Sequence, residues 1–147
     1  MTAIKKSILI LILMISFTLV LTACQTPEEI AFDQICQEEN HHKVAVTDGY
    51  FSVGASIYCS DVSSKYRCGL VLNSYPDGRH QFSADLVEGK RRNQMLPIDS
   101  GYLEQDLLIK TDSGEFVGVG EHVRVTGKLL VVDTVCVMYV DRIEKIE

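Results

Sequence analysis

The chain has 147 residues, of which 46% are hydrophobic, and it carries a formal charge of −6 and five cysteines. This length suits one domain of ordinary size with its own hydrophobic core. The acidic excess argues against non-specific binding to nucleic acid and against flat adsorption on anionic lipid, because both depend on Lys and Arg.

The first 23 residues have the pattern of an export signal. Lys5 and Lys6 precede 17 uncharged residues, 7–23, and the run ends in Leu21-Thr22-Ala23-Cys24. A membrane-spanning helix needs about 20 apolar residues. The run is short for such a helix, and it has the length of a signal-peptide core followed by small residues at a cleavage site. The alternative is an uncleaved signal anchor in which Cys24 is an ordinary thiol.

The ending Leu21-Thr22-Ala23-Cys24 resembles the lipobox of bacterial lipoproteins. The resemblance implies cleavage before Cys24, a diacylglyceryl thioether with palmitate-like acyl chains on its sulfur, and a protein held by lipid outside the cytoplasm on a bacterial membrane. Gln25 stands where an Asp would imply retention in the inner membrane of a Gram-negative cell. The resemblance therefore implies the outer membrane or cell surface there, and the outer leaflet of the cell membrane in a Gram-positive cell.

Three segments are predicted: a lipoprotein signal peptide at 1–23, a lipid-anchored tether with a possible short helix at 24–43, and a β-domain at 44–147. Thr26-Pro27-Glu28-Glu29 suits the start of a helix. Cleavage before Cys24 would remove two of the 14 Lys and Arg and none of the 20 Asp and Glu. The mature chain would then have 124 residues and a formal charge of −8, from 12 basic and 20 acidic side chains.

Four cysteines follow Cys24, namely Cys36, Cys59, Cys68 and Cys136. An even number in an exported domain predicts two disulfides. Three pairings are possible, and we favour Cys59 with Cys68 because that pair is local, which leaves Cys36 with Cys136. The chain contains no C-x-x-C sequence, the spacing that would indicate a redox-active thiol.

From Val44 onward the residue pattern favours strands. Five principal strands are predicted, at 44–53, 68–75, 80–87, 123–132 and 134–146. An irregular connection at 88–106 and a small hairpin within 107–117 separate the third strand from the fourth. The apolar positions of the last strand change phase after Asp141.

One segment, Gly120-Glu121-His122-Val123-Arg124-Val125-Thr126-Gly127-Lys128-Leu129, resembles the glycine-led entry to the fourth strand of OB-folds. The resemblance implies a small five-stranded Greek-key barrel. An immunoglobulin-like β-sandwich is the alternative, although it would need about seven strands. OB domains bind ligands across their second and third strands. On this chain that surface would present Tyr50, Tyr58, Tyr66, Arg67, Tyr75, Arg79, His80 and Phe82. The residues alone favour ordinary core and surface positions for these side chains, so we predict no specific binding residues.

No catalytic motif is apparent, because the chain lacks a nucleophile elbow, an H-E-x-x-H sequence and a phosphate loop. We therefore predict no catalytic residues, no metal and no cofactor. The side chains of Cys36, Glu38, His41 and His42 suit a metal, but Cys36 is expected to be oxidised, so no formed metal site is predicted there. Other polar groups are given ordinary roles: Lys90-Arg91-Arg92 as a solvated loop, the isolated His80 and His122 as surface or strand residues, and Asp85, Asp99 and Asp112 as loop or strand-end residues.

The sequence predicts a non-enzymatic, lipid-anchored module that binds an unidentified protein or small ligand. One alternative is an OB protein that binds oligosaccharide or single-stranded nucleic acid, although the acidic charge disfavours nucleic acid as a partner. The other alternative is a metal-binding or enzymatic lipoprotein whose site no motif reveals.

Overall fold

β-strands are the dominant secondary structure in the part of the chain that the structure describes. The computed structural model describes residues 26–78 and 80–147, so the predicted signal peptide, Cys24 and Arg79 lie outside the described residues. The predicted all-β class is confirmed. The strands of the described ranges are β1 Glu28–Glu29, β2 Val44–Ser52, β3 Tyr58–Val62, β4 Lys65–Asn73, β5 Gln81–Val87, β6 Gln94–Met95, β7 Ile109–Lys110, β8 Phe116–Val117, β9 His122–Val132 and β10 Val135–Lys145.

Helical structure in the same ranges is limited to short 3-10 turns. These turns are Phe32–Gln34, Glu38–Asn40 and Glu104–Asp106. None of the described residues belongs to a helix with the length and apolar character that crossing a bilayer requires.

Seven strands form one sheet in the order β1-β2-β9-β10-β5-β4-β3. Within it, β5 and β10 run parallel, as do β1 and β2, and the other neighbours run antiparallel. A further antiparallel pairing joins β2 to β4, with Ser52 opposite Val71. As a result β2, β4, β5, β10 and β9 each have hydrogen-bonded neighbours on both sides.

Strand β3 continues the ladder of β2 along the same edge of β4. Ser52 lies opposite Val71, and Tyr58 lies opposite Gly69. Between these two pairs the chain moves by two residues along β4, from Val71 to Gly69, but by six residues from Ser52 to Tyr58. The chain between Ser52 and Tyr58 therefore has four residues more than the opposing part of β4, and it forms a loop. The predicted first strand, 44–53, is therefore only the first part of a longer interrupted strand.

Alternate residues of the long strands enclose one hydrophobic core, as in β2, where every second residue is buried. Phe51, Leu86 and Met138 are among its fully buried side chains. The segment before β2 lies on the sheet, because β1 pairs with β2 and two of its side chains, Ile30 and Ile35, are buried in the core.

The connection between β5 and β9 folds into a small sheet with the order β6-β7-β8. The predicted hairpin is confirmed as β7 and β8. Asn93 fastens this connection to β10, since its Oδ1 accepts a hydrogen bond from the Ile143 amide at 2.9 Å and its Nδ2 donates to Asp112 Oδ1 at 3.1 Å. The φ angle of Asn93 is 59°, a left-handed conformation in which Asn is enriched.

The two disulfides are the ones that the spacing favoured. Cys36 is bonded to Cys136 in β10, which ties the segment before β2 to the sheet. Cys59 is bonded to Cys68, and these two residues face each other across the β3–β4 ladder. Because β3 pairs on one side only with strands of the described residues, the second bond holds an edge strand against β4.

Candidate functional site

The eight residues expected on an OB-like binding surface do not form one patch. Tyr50 stacks on His122 at a ring-centroid distance of 4.5 Å, on β2 and β9. Phe82 is buried in the core, with its ring centroid 5.1 Å from that of Phe32. Arg79 lies outside the described residues, and its neighbour His80 is exposed after β4.

Tyr58 and Arg67 are the members of the predicted set that share the outer face of β3 and β4. Arg67 lies opposite Ser60, and Tyr58 lies opposite Gly69, so both project on the side away from the Cys59–Cys68 pair. Tyr66 lies opposite Asp61 and is therefore on the other face.

A row of residues crosses five strands on this outer face. Lys128 lies opposite Tyr139, Tyr139 opposite Asp85, Asp85 opposite Gly69, and Gly69 opposite Tyr58. On the four strands other than β3, the residues before and after each member are buried, so the members themselves face outward. We call these five residues the outer row. Neighbouring strands lie about 4.8 Å apart, which places roughly 14 Å of sheet between Tyr139 and Tyr58.

Gly69 leaves a depression in the middle of the outer row. A Cβ atom built at Gly69 would meet nothing closer than the carbonyl oxygen of Tyr58, at 3.8 Å. The space above Gly69 is thus open to solvent, with Asp85 on one side and Tyr58 on the other. Tyr58 is 76% exposed and has room to fold over a bound group.

Asp85 presents a partly desolvated carboxylate to this depression. Burial raises the pKa of Asp85, and the positive charge of Arg67 opposes that shift. No hydrogen bond reaches its carboxylate from the described residues; Arg67 Nη1 donates instead to the Asp85 main-chain oxygen, at 2.8 Å. The Asp85 carboxylate can therefore accept hydrogen bonds from a ligand.

Arg67 forms one wall of the site and is itself held in place. The residue is only 7% exposed, and its guanidinium carbon lies 5.3 Å from the centroid of the Tyr139 ring. Its Nη2 lies 4.0 Å from Asp141 Oδ1. A cation that is buried, stacked and hydrogen-bonded to the main chain keeps one orientation beside the Asp85 carboxylate.

A groove of about 370 Å³ continues from the outer row along β5 and β10. Its lining includes the next outward row, in which Val137 lies opposite Ser83 and Ser83 lies opposite Val71. Val135 also lines this groove and is 50% exposed. The outer face thus combines a groove of mixed polar and apolar lining with a polar depression, which suits a ligand that has both kinds of surface.

The histidine-rich segment offers no assembled metal site. His41 Nδ1 accepts a hydrogen bond from the Val131 amide at 3.2 Å, and Cys36 is bonded to Cys136. In the described part of the chain, the one group of metal-ligating residues is Cys59, Cys68 and Glu88. Its two sulfurs are joined in a disulfide and provide no thiolate.

Comparisons with protein-family models, with curated proteins and with solved structures found no match. The site must therefore be interpreted from its own chemistry. Sequence reasoning missed Gly69, Lys128 and Tyr139, and it interpreted Asp85 as an ordinary strand-end residue. The available signal was alternation, because each of these residues occupies an outward position between apolar ones, but only the strand register places them side by side.

Proposed function

We propose that this protein is a non-enzymatic, lipid-anchored binding module of the bacterial envelope or cell surface, built on an OB-like five-stranded barrel. The pairing of β2, β4, β5, β10 and β9 in a ring supports the barrel, since β3 extends β2 and β1 is a two-residue addition. This arrangement favours the OB-like barrel over the alternative sandwich. The two disulfides are compatible with an extracytoplasmic location.

Lipid attachment at Cys24 is the proposed means of anchoring. The lipobox resemblance supports it, and two or more acyl chains hold a protein stably where a single chain does not. Metabolic labelling with a palmitate analogue should tag the wild-type chain, whereas a Cys24→Ala variant should be untagged and should leave the membrane fraction. Labelling that persists in the variant would refute the assignment.

The outer row is the proposed ligand site. The observation that carries this proposal is the Asp85 carboxylate, which is half-buried, has no hydrogen-bond donor among the described residues, and faces the open space above Gly69. A ligand with hydroxyl or amine donors and one apolar side would satisfy this carboxylate and pack against Tyr58 and Tyr139. Such a ligand could be a small molecule or a side chain of a partner protein.

Oligosaccharide is the second candidate ligand. Tyrosine rings stand on both sides of a carboxylate and a fixed guanidinium, and sugars present apolar ring faces together with hydroxyl donors. Single-stranded nucleic acid fits less well, because it needs a positively charged groove and the mature chain has a predicted charge of −8, from 12 basic and 20 acidic side chains.

Filling the depression tests the site without disturbing the core. The Gly69→Val side chain would enter open space, so the variant should fold normally and lose at least about tenfold in affinity for any ligand of this site. Screens with oligosaccharides and with small polar molecules, followed by NMR mapping, should shift the resonances of Asp85 and Tyr139. Thr126→Val, at an outward position on β9, is the matched control. A ligand that binds Gly69→Val as tightly as the wild type would place the site elsewhere.

A further inference from the structure

The outer edge of β3 carries no backbone partner among residues 26–78 and 80–147. β3 is the last strand of the seven-stranded sheet, and its ladder is made with β4 alone. Its residues are exposed or half-buried along the whole strand. An edge of this kind presents free N–H and C=O groups on which another strand can pair.

The turn that follows β3 determines which backbone groups are free. Ser63 and Ser64 both have positive φ angles, 50° and 64°, and they join Val62 directly to Lys65. Such a two-residue turn makes Val62 and Lys65 a hydrogen-bonded pair, and the pairs then alternate along the ladder. Cys59 and Asp61 therefore direct their N–H and C=O groups away from β4.

The distance between Cys59 and Cys68 agrees with this assignment. Their Cα atoms lie 4.0 Å apart. Opposed residues without mutual hydrogen bonds lie about 4.5 Å apart, against about 5.5 Å in a hydrogen-bonded pair. The disulfide therefore holds β3 on β4 while leaving the Cys59 backbone groups free on the outer edge.

The side chains beside this edge define the chemistry of a partner. Tyr58 and Val62 project on one face of β3, and Cys59 and Asp61 project on the other. Asp61 is exposed, and the Glu88 carboxylate lies 3.6 Å from the Cys68 sulfur on that same face. An added strand would meet the Asp61 carboxylate on one face and an exposed aromatic ring and a valine on the other.

We propose that the free edge of β3 binds an extended, proline-free segment of a partner protein as an added antiparallel strand, with cationic side chains beside Asp61 and apolar side chains beside Tyr58 and Val62. Charge complementarity favours this occupant, because the whole chain is acidic as well. A second copy of the chain fits less well, since a five-residue edge buries little area compared with a stable dimer interface. The strand edge shares Tyr58 with the outer row, but backbone pairing on this edge does not require a ligand in the outer row.

A short synthetic peptide can test the edge directly. The probe is acetyl-Lys-Val-Lys-Val-Lys-amide, titrated into the isotopically labelled full chain in detergent. The peptide residues that lie opposite Cys59 and Asp61 carry their side chains on the same face of the sheet as Asp61. These residues should be lysines of the probe, and their backbone N–H groups should point toward β3. We expect the amide protons of Cys59 and Asp61 to become protected from exchange, whereas those of Tyr58 and Ser60 are already bonded to β4.

N-methylation separates backbone pairing from charge attraction. Methylating the lysine amides should weaken binding by roughly tenfold through lost hydrogen bonds, and methylating the valine amides should leave it unchanged. Asp61→Asn should weaken binding by roughly two- to fivefold, while Asp133→Asn, which removes an exposed carboxylate in the β9–β10 turn, should leave binding unchanged.

Three results would overturn the proposal. The first is equal binding of the two methylated probes, which would mean that charge alone attracts the peptide. The second is equal or tighter binding of acetyl-Glu-Val-Glu-Val-Glu-amide. The third is protection of the Cys59 and Asp61 amides without any peptide, because a second copy or the chain's own amino-terminal segment would then occupy the edge; sedimentation velocity would distinguish these two occupants.

Discussion

The two disulfides close loops of very different length, and removing each should destabilise the fold to a different extent. The Cys36–Cys136 bond joins residues 100 positions apart, and the Cys59–Cys68 bond joins residues nine apart. Loop-closure entropy in the unfolded chain gives about 4.7 kcal/mol for the first bond and about 2.7 kcal/mol for the second. Replacing both cysteines of the long loop by alanine should therefore destabilise the fold by about 2 kcal/mol more than the same change in the short loop.

The long-loop bond also has a local role, which gives the prediction a second observable. It holds the segment before β2, in which residues 26–43 contain one strand, the two-residue β1. The Ile30 amide in this segment donates to the Val46 carbonyl at 3.0 Å. Without the bond, this amide should exchange faster than the amides of β9, because the segment can open without unfolding the sheet.

Guanidinium unfolding followed by circular dichroism would measure the difference between the two double-alanine variants under non-reducing conditions. Reduction of the wild type provides the control, since it should lower the unfolding free energy by about as much as both variants together. Equal destabilisation of the two variants, or greater destabilisation by the short-loop change, would refute the view that loop length sets these contributions.

Three further predictions concern single side chains. Gly127→Ala would place a Cβ against the carbonyl oxygen of Tyr139 on the neighbouring strand, and we expect a loss of about 3 kcal/mol in chemical unfolding; a near-neutral effect would contradict this close approach. A hydrogen bond from Lys145 at 2.7 Å lowers the pKa of Glu121. The small stability that this interaction contributes should therefore be present at neutral pH and lost as the pH falls through the lowered pKa. A Glu121→Gln variant should show no such loss. Burial raises the pKa of Asp85 above its usual 3.8, which means that the charged carboxylate destabilises the folded state at neutral pH. Asp85→Asn should therefore raise stability at neutral pH but not well below pH 3.8. Destabilisation at neutral pH would contradict the raised pKa.

Strand positions could be predicted from the sequence wherever one face of a strand is buried. β9 alternates buried and more exposed residues along most of its length, and its apolar pattern is visible in the sequence. The phase change after Asp141 corresponds to a register shift between Val140 and Arg142 in the β9–β10 ladder. In these strands the local pattern and the tertiary environment agree, which is why the all-β class was predictable.

Strand β3 shows where local patterning is insufficient. Residues 58–62 mix polar and apolar side chains and have little burial alternation. Ser63-Ser64 is not the glycine-containing sequence that usually indicates a two-residue hairpin turn. The strand forms because it extends the β2 ladder on β4 and because Cys59 is bonded to Cys68. These are tertiary causes, and only the disulfide had a signal in the sequence.

The outer row could not be predicted for a related reason. Its members come from β3, β4, β5, β9 and β10, and they are neighbours only through the registers of four separate ladders. Moving one ladder by a single residue would turn Asp85 or Tyr139 toward the opposite face. The residue types were visible in the sequence, whereas their adjacency depends on pairing between distant segments.

Under the proposed anchoring at Cys24, the pairing of β1 with β2 limits how far the domain can stand from a membrane. β1 begins at Glu28, four residues after Cys24, and four extended residues span at most about 14 Å. Under the proposed anchoring, the sheet would remain close to the lipid headgroups, and a partner in the same membrane would meet it at a high effective concentration. A partner on a facing membrane would have to extend across the gap itself.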